Sequence, residues 1–452
     1  MRVHSQLSAA TAGRSASSKM PALSRVPAGL FVIAIVLLYV VSGGMLWLAG
    51  INYDGLTGSP ATKIHPGTYL VVTVFCWAAC ESGNPVGLMA DMARRRPASL
   101  LMMVTAFLLF LQIVSRKAPG MAGTIDTYLL PALVATLFMR SGTGTRRLLE
   151  LSIHAAMLAN AGLGLVEFAT KHLYFPFRFE GVALIDTRAT ALQGHPLGNA
   201  TQTAVYILAL IGGGGTLSAS RRLGMIASQL AAMVAFGGRV ALVVTIVLGG
   251  AVGLKQLHRS LRSGRVPLLG AAALVVALTL VPLVLAGLFA GGFFDALLIR
   301  FQSDGGSANA RLEMLDMLQA FPLHDLVVGP DIDLVESLRR VNGLELGIES
   351  PIVKLVLYQG IVLTALVLLA IGLFFGELVR WSRPGVVVPV LAFLIIINTF
   401  ESIASKSTMV AKVAIMMLVL FRPTGLQQRR GLKPKSRDPA SVASDRARLA
   451  IE

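Results

Sequence analysis

ESPIVKLVLYQGIVLTALVLLAIGLFFGE, residues Glu349–Glu377, is the stretch that decides the fold class. Its predominantly apolar part is longer than the roughly 20 residues that a helix needs to cross about 30 Å of hydrocarbon. Ser350 as N-cap and Pro351 at the first helical position predict where that helix begins. The sequence therefore predicts a membrane-spanning helix with a carboxylate, Glu349, immediately before its N-cap.

Apolar runs of this kind recur along most of the chain. Of its 452 residues, 55% are hydrophobic and 14% are charged, and the mean hydropathy is +0.72. A soluble protein could not cover so much apolar surface with polar groups, and barrel strands would alternate apolar with polar residues. We therefore predict an all-α fold, a polytopic integral membrane helical bundle of about twelve transmembrane helices. The predicted spans cover residues 28–50, 67–90, 98–115, 124–139, 149–170, 197–216, 223–237, 240–254, 266–291, 351–377, 384–400 and 404–421.

The cations indicate how these spans are oriented. About 26 of the 40 Lys and Arg residues fall on one side of the span map, and that side is expected to face the cytoplasm. It includes both ends of the chain. Residues 1–27 are predicted to be a cytoplasmic tail before an uncleaved signal anchor, and residues 422–452 a basic, disordered cytoplasmic tail that rests on anionic membrane lipid. Residues 28–421 form the transmembrane domain.

Two long loops fall on the opposite, periplasmic side of the map. They cover residues 171–196 and 292–350, and the second lies between spans nine and ten. Loops of this length in a tight bundle more often have a function than merely connect helices. Within the second loop, hydrophobic residues at helical spacing predict an amphipathic helix from Ala308 to Phe321 that lies on the bundle or on the membrane surface.

Ionisable residues at the membrane edge are the best functional candidates, because each is costly there unless it is paired or hydrated. Arg188, Arg239 and Arg311 could each bind a phosphate through the planar fork of the guanidinium group. The alternatives are a solvated loop cation for Arg188, a snorkelling anchor for Arg239 and a local ion pair for Arg311. Glu349 could act in catalysis or only complement the positive end of its helix dipole. His195 could contact substrate or only start a helix.

The cysteines and the net charge do not indicate another function. Cys76 and Cys80 lie four residues apart and so share a helix face. We expect them to be small core residues, since two thiols do not complete a structural zinc site. No metal and no cofactor are predicted. The net charge of +17 is dispersed between apolar runs, which is typical of topology signals and not of nucleic-acid binding.

Four further segments stand in order along the chain from Arg188 to Gly360. They are RATALQGHPLGNATQTA (Arg188–Ala204), GGRVALVV (Gly237–Val244), ARLEMLDMLQAFPLHDLVVGPDIDL (Ala310–Leu334) and ESPIVKLVLYQG (Glu349–Gly360). Together they resemble the superfamily of bacterial O-antigen ligases and polysaccharide polymerases. Its members carry an Arg followed by a His-Pro-Asn helix start, a Ser-Arg-small segment, an Arg, helix, Pro, Gly signature, and a His followed by ten residues and Gly.

The resemblance implies a metal-independent, inverting glycosyltransferase in the bacterial inner membrane. A hydroxyl of a glycan or lipid acceptor would attack the anomeric carbon of an undecaprenyl-diphosphate-linked glycan at the periplasmic face, and undecaprenyl diphosphate would leave. Arg188, Arg239 and Arg311 would stabilise the diphosphate, as positioned cations do in phosphate chemistry. Glu349 would be the general base and His195 a substrate contact. Other polysaccharide assembly proteins are expected as partners.

Three positions depart from the family pattern. Glu349 stands where members commonly carry His, Leu197 follows His195-Pro196 in place of Asn, and Gly238 replaces the usual Ser before the Arg. A carboxylate can also take a proton from an attacking hydroxyl. The exchange of Glu for His favours a polymerase over a ligase.

Two other functional classes compete with the transferase. The first is a secondary transporter of the major facilitator type, since GLMADMARRRP (Gly87–Pro97) is similar to a loop motif of that class. Against it, the longest loop follows span nine, and the two halves show no internal repeat. The second is a non-catalytic scaffold of a polysaccharide assembly complex.

Overall fold

A computed structural model gives the fold. It describes residues 22–55, 58–179, 182–183, 188–262, 286–287, 289–295, 298, 314, 316–342, 344, 348, 350–398 and 403–422. Apart from one short antiparallel pair, β1 (Arg178–Phe179) with β2 (Val182–Ala183), and two 3-10 turns (Pro60–Lys63 and Ala191–Gln193), the regular structure of these residues is helical.

Fifteen helices have defined bounds in the described ranges. They are α1 (Arg25–Val40), α2 (Gly43–Leu48), α3 (Pro66–Glu81), α4 (Pro85–Arg95), α5 (Pro97–Arg116), α6 (Met121–Arg140, π-helical over Thr124–Leu129), α7 (Thr143–Thr170), α8 (Pro196–Ile211), α9 (Ala219–Phe236), α10 (Arg239–Arg262), α11 (Leu323–Val328), α12 (Ile332–Val341), α13 (Pro351–Arg380), α14 (Val387–Ile397) and α15 (Met409–Leu420).

Several of these helices are suited to a membrane. Five are long and apolar enough to cross one, namely α5, α6, α7, α10 and α13, and α1, α14 and α15 are shorter apolar helices. The predicted all-α membrane class is therefore confirmed. The number of twelve spans stays a prediction, and most of the span predicted over residues 266–291 lies outside the described residues.

Two predicted spans are wrong at their ends. The span over residues 28–50 breaks after Val40, where the Ser42 side chain accepts a hydrogen bond from Met45 N and starts α2. The span over residues 67–90 ends at Glu81, because Asn84 caps Gly87 N at 2.7 Å ahead of Pro85. Local capping side chains therefore interrupt apolar runs that composition alone would join.

The two cysteines are not core residues. Cys76 and Cys80 share a face of α3, as the spacing predicts, but both are exposed. The buried face of α3 carries Val71, Val74 and Ala78, which pack into the main hydrophobic cluster. The prediction failed because the apolar composition of a membrane helix does not distinguish the face toward lipid from the face toward protein.

Helix α8 lies at the centre of the bundle. Every residue from Gly198 to Leu210 is buried, and α9, α10, α14 and α15 pack around it. Small residues allow this close approach, as membrane helix interfaces generally require. A Cβ atom at Gly249 of α10, for example, would lie 3.3 Å from Ile211 Cδ1.

Arginines hold the helix ends at one side of the bundle. Arg140 donates to Ala78 O at 2.7 Å, Arg146 to Phe138 O at 2.9 Å and Arg383 to Leu420 O at 2.9 Å. A cation at the C-terminal end of a helix satisfies unpaired carbonyl groups and complements the helix dipole. We call this end of the bundle the basic rim; it is the side predicted to face the cytoplasm.

At the other end of the bundle, a short helical segment that includes α11 and α12 packs on the first turns of α13. We call this segment the helical cap. Met317, Phe321 and Val335 bury their side chains against Val353 and Leu357. This confirms that the described part of the segment predicted to be an amphipathic helix lies on the bundle, with residues 316–319 helical. Residues 308–313 and 315 of that segment lie outside the described residues.

Gly360 bends α13 where the cap meets it. Its backbone has φ 82° and ψ 164° inside an otherwise helical element, a combination that side chains other than glycine strongly disfavour. A Cβ atom there would lie 2.5 Å from the carbonyl carbon of Val328. Arg116 of α5 stabilises this contact between α13 and the helical cap, because it donates to Tyr358 O at 2.9 Å and to Gly329 O at 3.1 Å.

We expect Gly360→Ala to destabilise the protein by about 3 kcal/mol, because it adds backbone strain to a steric clash. The measurement is the thermal unfolding midpoint of the purified protein in detergent. Gly372→Ala is the matched control, since it lies in the same helix and a Cβ atom there meets no other atom within 4 Å. Equal midpoints for the two variants would contradict the assignment of Gly360 as an obligatory kink.

Candidate functional site

The N-terminal ends of four helices meet at the end of the bundle opposite the basic rim. Gly238, before α10, faces α8, because a Cβ atom there would lie 2.3 Å from Ala200 Cβ. A Cβ atom at Gly198 of α8 would lie 3.3 Å from Met409 Cε, at the start of α15. Lys354 in the first turn of α13 donates to Ser405 Oγ at 3.0 Å, just before α15. We call this end the outer rim.

Arg188 reaches the outer rim through its neighbours in the chain. It is half-buried, and the next residue, Ala189, donates its backbone N–H to Ala235 O at 3.2 Å near the end of α9. Glu167 of α7 fixes the following turn, since its carboxylate accepts from Thr190 N at 2.7 Å and Ala191 N at 2.8 Å. The segment that carries Arg188 is therefore anchored on both α7 and α9.

Arg239 is the first residue of α10 and is also half-buried. It follows the turn that ends α9, where Gly237 has φ 64° and donates to Met233 O and Val234 O at 3.1 Å each. Arg239 is four positions after Ala235, to which the Arg188 segment is bonded. The backbone segments that carry Arg188 and Arg239 are therefore neighbours at the outer rim.

His195 starts α8, as one of the two sequence interpretations predicts. Its Nδ1 atom accepts from Gly198 N at 3.3 Å, which caps the helix, and the Phe177 ring packs edge-on with its centroid 4.4 Å away. The side chain is half-buried. His195 therefore lies at the same rim as the two arginines, with a capping role that needs no substrate.

Glu349 and Arg311 lie outside the described residues. The residues next to Glu349 behave as the sequence predicts, since Ser350 Oγ accepts from Val353 N at 3.5 Å and Pro351 begins α13. The first turn of this helix is tied to the outer rim through Lys354 and Ser405. The catalytic role of Glu349 and the diphosphate contact of Arg311 stay predictions.

A buried carboxylate that the sequence analysis did not select organises the loops of the outer rim. Asp126 in the π-helical turn of α6 accepts from Tyr53 Oη at 2.9 Å, Thr68 Oγ1 at 2.7 Å and His65 N at 3.1 Å. The three donors come from the loop after α2, from α3 and from the residue that caps it. Asp126 therefore fixes the connection between α2 and α3 against α6.

Lys406 and Asp54 form a partly buried ion pair beside Tyr53, one of the three donors to Asp126. Their charged atoms are 3.7 Å apart, and the Lys406 ammonium lies 3.4 Å from the centre of the Tyr53 ring. Burial lowers the pKa of Lys406, and the Asp54 carboxylate opposes that shift. Burial likewise raises the pKa of Asp54, and Lys406 opposes it. Each group helps to keep the other charged.

His65 is neutral and structural. Burial, together with the nearby positive charge of Lys412, lowers the pKa of His65 to about 4. Its Nδ1 atom accepts from Gly67 N at 3.0 Å and its Nε2 atom lies 3.1 Å from Val41 O, which together specify the Nε2-protonated form. The imidazole therefore joins the end of α1 to the start of α3 without carrying charge at neutral pH.

A ring of hydrogen bonds ties the segment before His195 to two further helices. Lys412 of α15 donates to Gln193 Oε1, Gln193 donates to Tyr39 O at 2.9 Å, and Tyr39 Oη donates to Lys412 O at 2.6 Å. Lys412 and Tyr39 are buried. This ring fixes the position at which α8 enters the bundle.

The sequence contained a signal for these residues. Asp126, Glu150, Glu167 and Lys412 are ionisable residues inside predicted spans, where such residues are rare and face the protein interior or a cavity. None of the four is among the candidates at the membrane edge. Selection of every ionisable residue inside a span would have included all four, although not their partners.

The arrangement at the outer rim is suited to binding an anion. The segments that carry Arg188 and Arg239 lie by the N-terminal ends of α8 and α10, where the N–H groups of the first turn and the positive end of the helix dipole favour negative charge. Guanidinium groups match phosphate oxygens in a bidentate geometry. Among the described residues, no group of three or more His, Cys, Asp and Glu side chains is placed to hold a metal ion.

Comparisons with known proteins do not identify the chain. No protein-family model matches it, and neither does a curated protein or a solved structure. The similarity to the O-antigen ligase and polymerase superfamily therefore remains a resemblance of sequence segments.

The packing of Gly238 on Ala200 accounts for one departure from the family pattern and can be tested. We expect Gly238→Ser, which introduces the family residue, to destabilise the protein by about 2 kcal/mol, since overpacking at a helix contact costs that much. The measurement is the thermal unfolding midpoint in detergent. The double variant Ala200→Gly with Gly238→Ser removes the clashing Cβ atom and should recover part of the loss. No recovery in the double variant would show that the contact is not the cause.

Proposed function

We propose that the protein is a membrane glycosyltransferase of cell-surface polysaccharide biosynthesis. It would polymerise or ligate undecaprenyl-diphosphate-linked oligosaccharide repeat units at the periplasmic face of the bacterial inner membrane, in the manner of the O-antigen ligase and polysaccharide polymerase superfamily. The observation that supports the proposal is that the segments carrying Arg188 and Arg239 are neighbours at one rim, through the hydrogen bond between Ala189 and Ala235. These arginines are 51 positions apart in sequence, so sequence proximity does not explain why the segments are neighbours.

The proposed reaction is a displacement at the anomeric carbon of the donor glycan. The acceptor hydroxyl forms the new C–O bond, its proton passes to the Glu349 carboxylate, and the electrons of the broken C–O bond leave with undecaprenyl diphosphate. The configuration at the anomeric carbon inverts. Arg188 and Arg239, with Arg311 as a third contact, stabilise the charge that develops on the leaving diphosphate.

The half-buried setting of the two arginines supports this role. A cation that is partly withdrawn from water interacts more strongly with a phosphate than a fully hydrated one, because less of its field is screened. His195 at the start of α8 would contact the substrate from the same rim. The partners are the lipid-linked donor, a glycan or lipid acceptor, membrane lipid and other polysaccharide assembly proteins.

A secondary transporter is the second candidate, and one observation favours it. The central helix α8 carries a buried polar face with Asn199, Gln202 and Thr203, and such faces inside membrane proteins often line pathways for ions or solutes. A non-catalytic scaffold is the third candidate. Both alternatives predict that neutral replacement of the rim arginines leaves chemistry on a lipid-linked glycan unaffected.

The test is replacement of each rim arginine in the cell that makes the polysaccharide. We expect Arg188→Gln and Arg239→Gln each to reduce polymer formation by about a hundredfold or more, the usual effect of removing one donor that stabilises developing charge. Lipid-linked oligosaccharides are measured together with the surface polysaccharide. Accumulation of single repeat units on the carrier would indicate a polymerase, and accumulation of finished polymer on the carrier a ligase.

Arg262→Gln is the matched control, because Arg262 is exposed at the opposite end of the same helix as Arg239. We expect normal polysaccharide in this variant at a comparable protein level. Normal chain length and amount in both Arg188→Gln and Arg239→Gln, at normal protein levels, would exclude the transferase in favour of a transporter or scaffold.

A further inference from the structure

The buried polar face of α8 contacts α7 through Tyr206. Asn199, Gln202, Thr203 and Tyr206 are spaced by three and four residues, so they share one face of the helix. Tyr206 Oη lies 2.6 Å from His154 Nδ1 on α7, which fixes the direction of that face. A polar strip therefore runs along one face of the first three turns of the central helix, well inside the bundle, and Tyr206 joins it to α7.

Several polar atoms of this strip have no hydrogen-bond partner among the described residues. They are Asn199 Oδ1, both amide atoms of Gln202, and Thr203 Oγ1, on side chains that are at most 1% exposed. The opposite face of α8 differs, since Thr201 Oγ1 donates to Leu197 O at 2.8 Å. Buried polar groups that lack a protein partner normally bind internal water.

A third helix adds a polar atom at the same depth. Gln229 of α9 donates through Nε2 to Met157 O at 2.9 Å, and its Oε1 atom has no partner in the described part of the chain. Met157 lies three residues toward the outer rim from His154, and Thr203 lies three residues in the same direction from Tyr206. The Gln229 amide therefore lies near the level of Thr203 in the bundle.

Carboxylates stand at both ends of the strip. Toward the basic rim, His154 Nε2 is 3.7 Å from Glu150 Oε1, which accepts from the exposed Thr216 through its hydroxyl at 2.7 Å. Toward the outer rim, Asn199 donates to Thr190 O, and Thr190 N donates to Glu167 at 2.7 Å. Glu150 and Glu167 are separated along α7 by a rise of roughly 25 Å, most of the thickness of the hydrocarbon core.

The chemistry of the unpaired atoms selects their ligand. The strip offers amide and hydroxyl oxygens that accept hydrogen bonds, together with the Gln202 amide N–H₂ group, which only donates. A water molecule donates and accepts and so satisfies both kinds of atom. A sodium ion would be held by the oxygens but repelled by the amide hydrogens of Gln202.

We propose that the polar strip along α8 holds a file of internal water molecules that carries protons between the Glu150–His154 pair of α7 and the Glu167 end at the outer rim. Each water accepts a proton from one neighbour and passes another to the next, so no covalent change remains after a transfer. The Tyr206 hydroxyl and the His154 imidazole extend the file toward the basic rim. The proposal does not rest on the glycosyltransferase, because the path needs no glycan.

The test is proton uptake by liposomes that contain the purified full-length protein and a trapped pH-sensitive dye. A potassium diffusion potential drives protons inward, and the rate of acidification is measured. We expect uptake above that of protein-free liposomes, and uptake about tenfold slower with Gln202→Met or Thr203→Val, since each interrupts the water file. Thr203→Val changes little volume, and both variants are checked for folding by size-exclusion chromatography.

Thr201→Val is the matched control, because it makes the same change two residues away on the face where the hydroxyl already has a partner. It should conduct as the unchanged protein does. The proposal is overturned by uptake no faster than in protein-free liposomes, by equal rates for Thr203→Val and Thr201→Val, or by a flux that follows sodium and leaves the dye unchanged. None of these results would bear on the effects of Arg188→Gln and Arg239→Gln.

Discussion

Polar groups in the interior of this bundle cannot form hydrogen bonds with bulk water. That constraint determines most of its architecture. The central helix α8 shows it most clearly. Thirteen consecutive residues, 198–210, are buried, and they include amide and hydroxyl side chains along one face. Such a helix is stable only where its neighbours provide polar partners or bound water on that face, and small residues for close packing on the others.

The same constraint acts at the ends of the helices, with opposite results at the two rims. At the basic rim, arginines donate to carbonyl oxygens in the last turns of α3, α6 and α15. At the outer rim, His65, His195 and Ser350 accept from the first N–H groups. The outer rim therefore gathers the positive ends of several helix dipoles beside Arg188 and Arg239, which makes it the side suited to anionic chemistry.

Particular residues show how far the sequence could predict this site. Ser350, Pro351 and His195 take the helix-start positions that their identities predict, because capping depends on a few adjacent residues. The spans over 28–50 and 67–90 end early for the same local reason, which hydropathy does not register. Cys76 and Cys80 were assigned to the wrong environment, and Asp126 was not selected, since the partners of Asp126 come from loops and helices up to 73 positions away.

The sequence by itself determined that this is a helical membrane protein, where several of its helices begin, and which side of the bundle carries most of the cations. Those properties follow from apolar length, capping residues and charge, all of which act locally. Only the tertiary structure decided that α8 is central, that the segment carrying Arg188 lies beside the end of α9, and that Gly238 has no room for a side chain. These depend on the shapes of surfaces from distant parts of the chain, and the size and position of one neighbouring atom, such as Ala200 Cβ, can decide whether two helices touch.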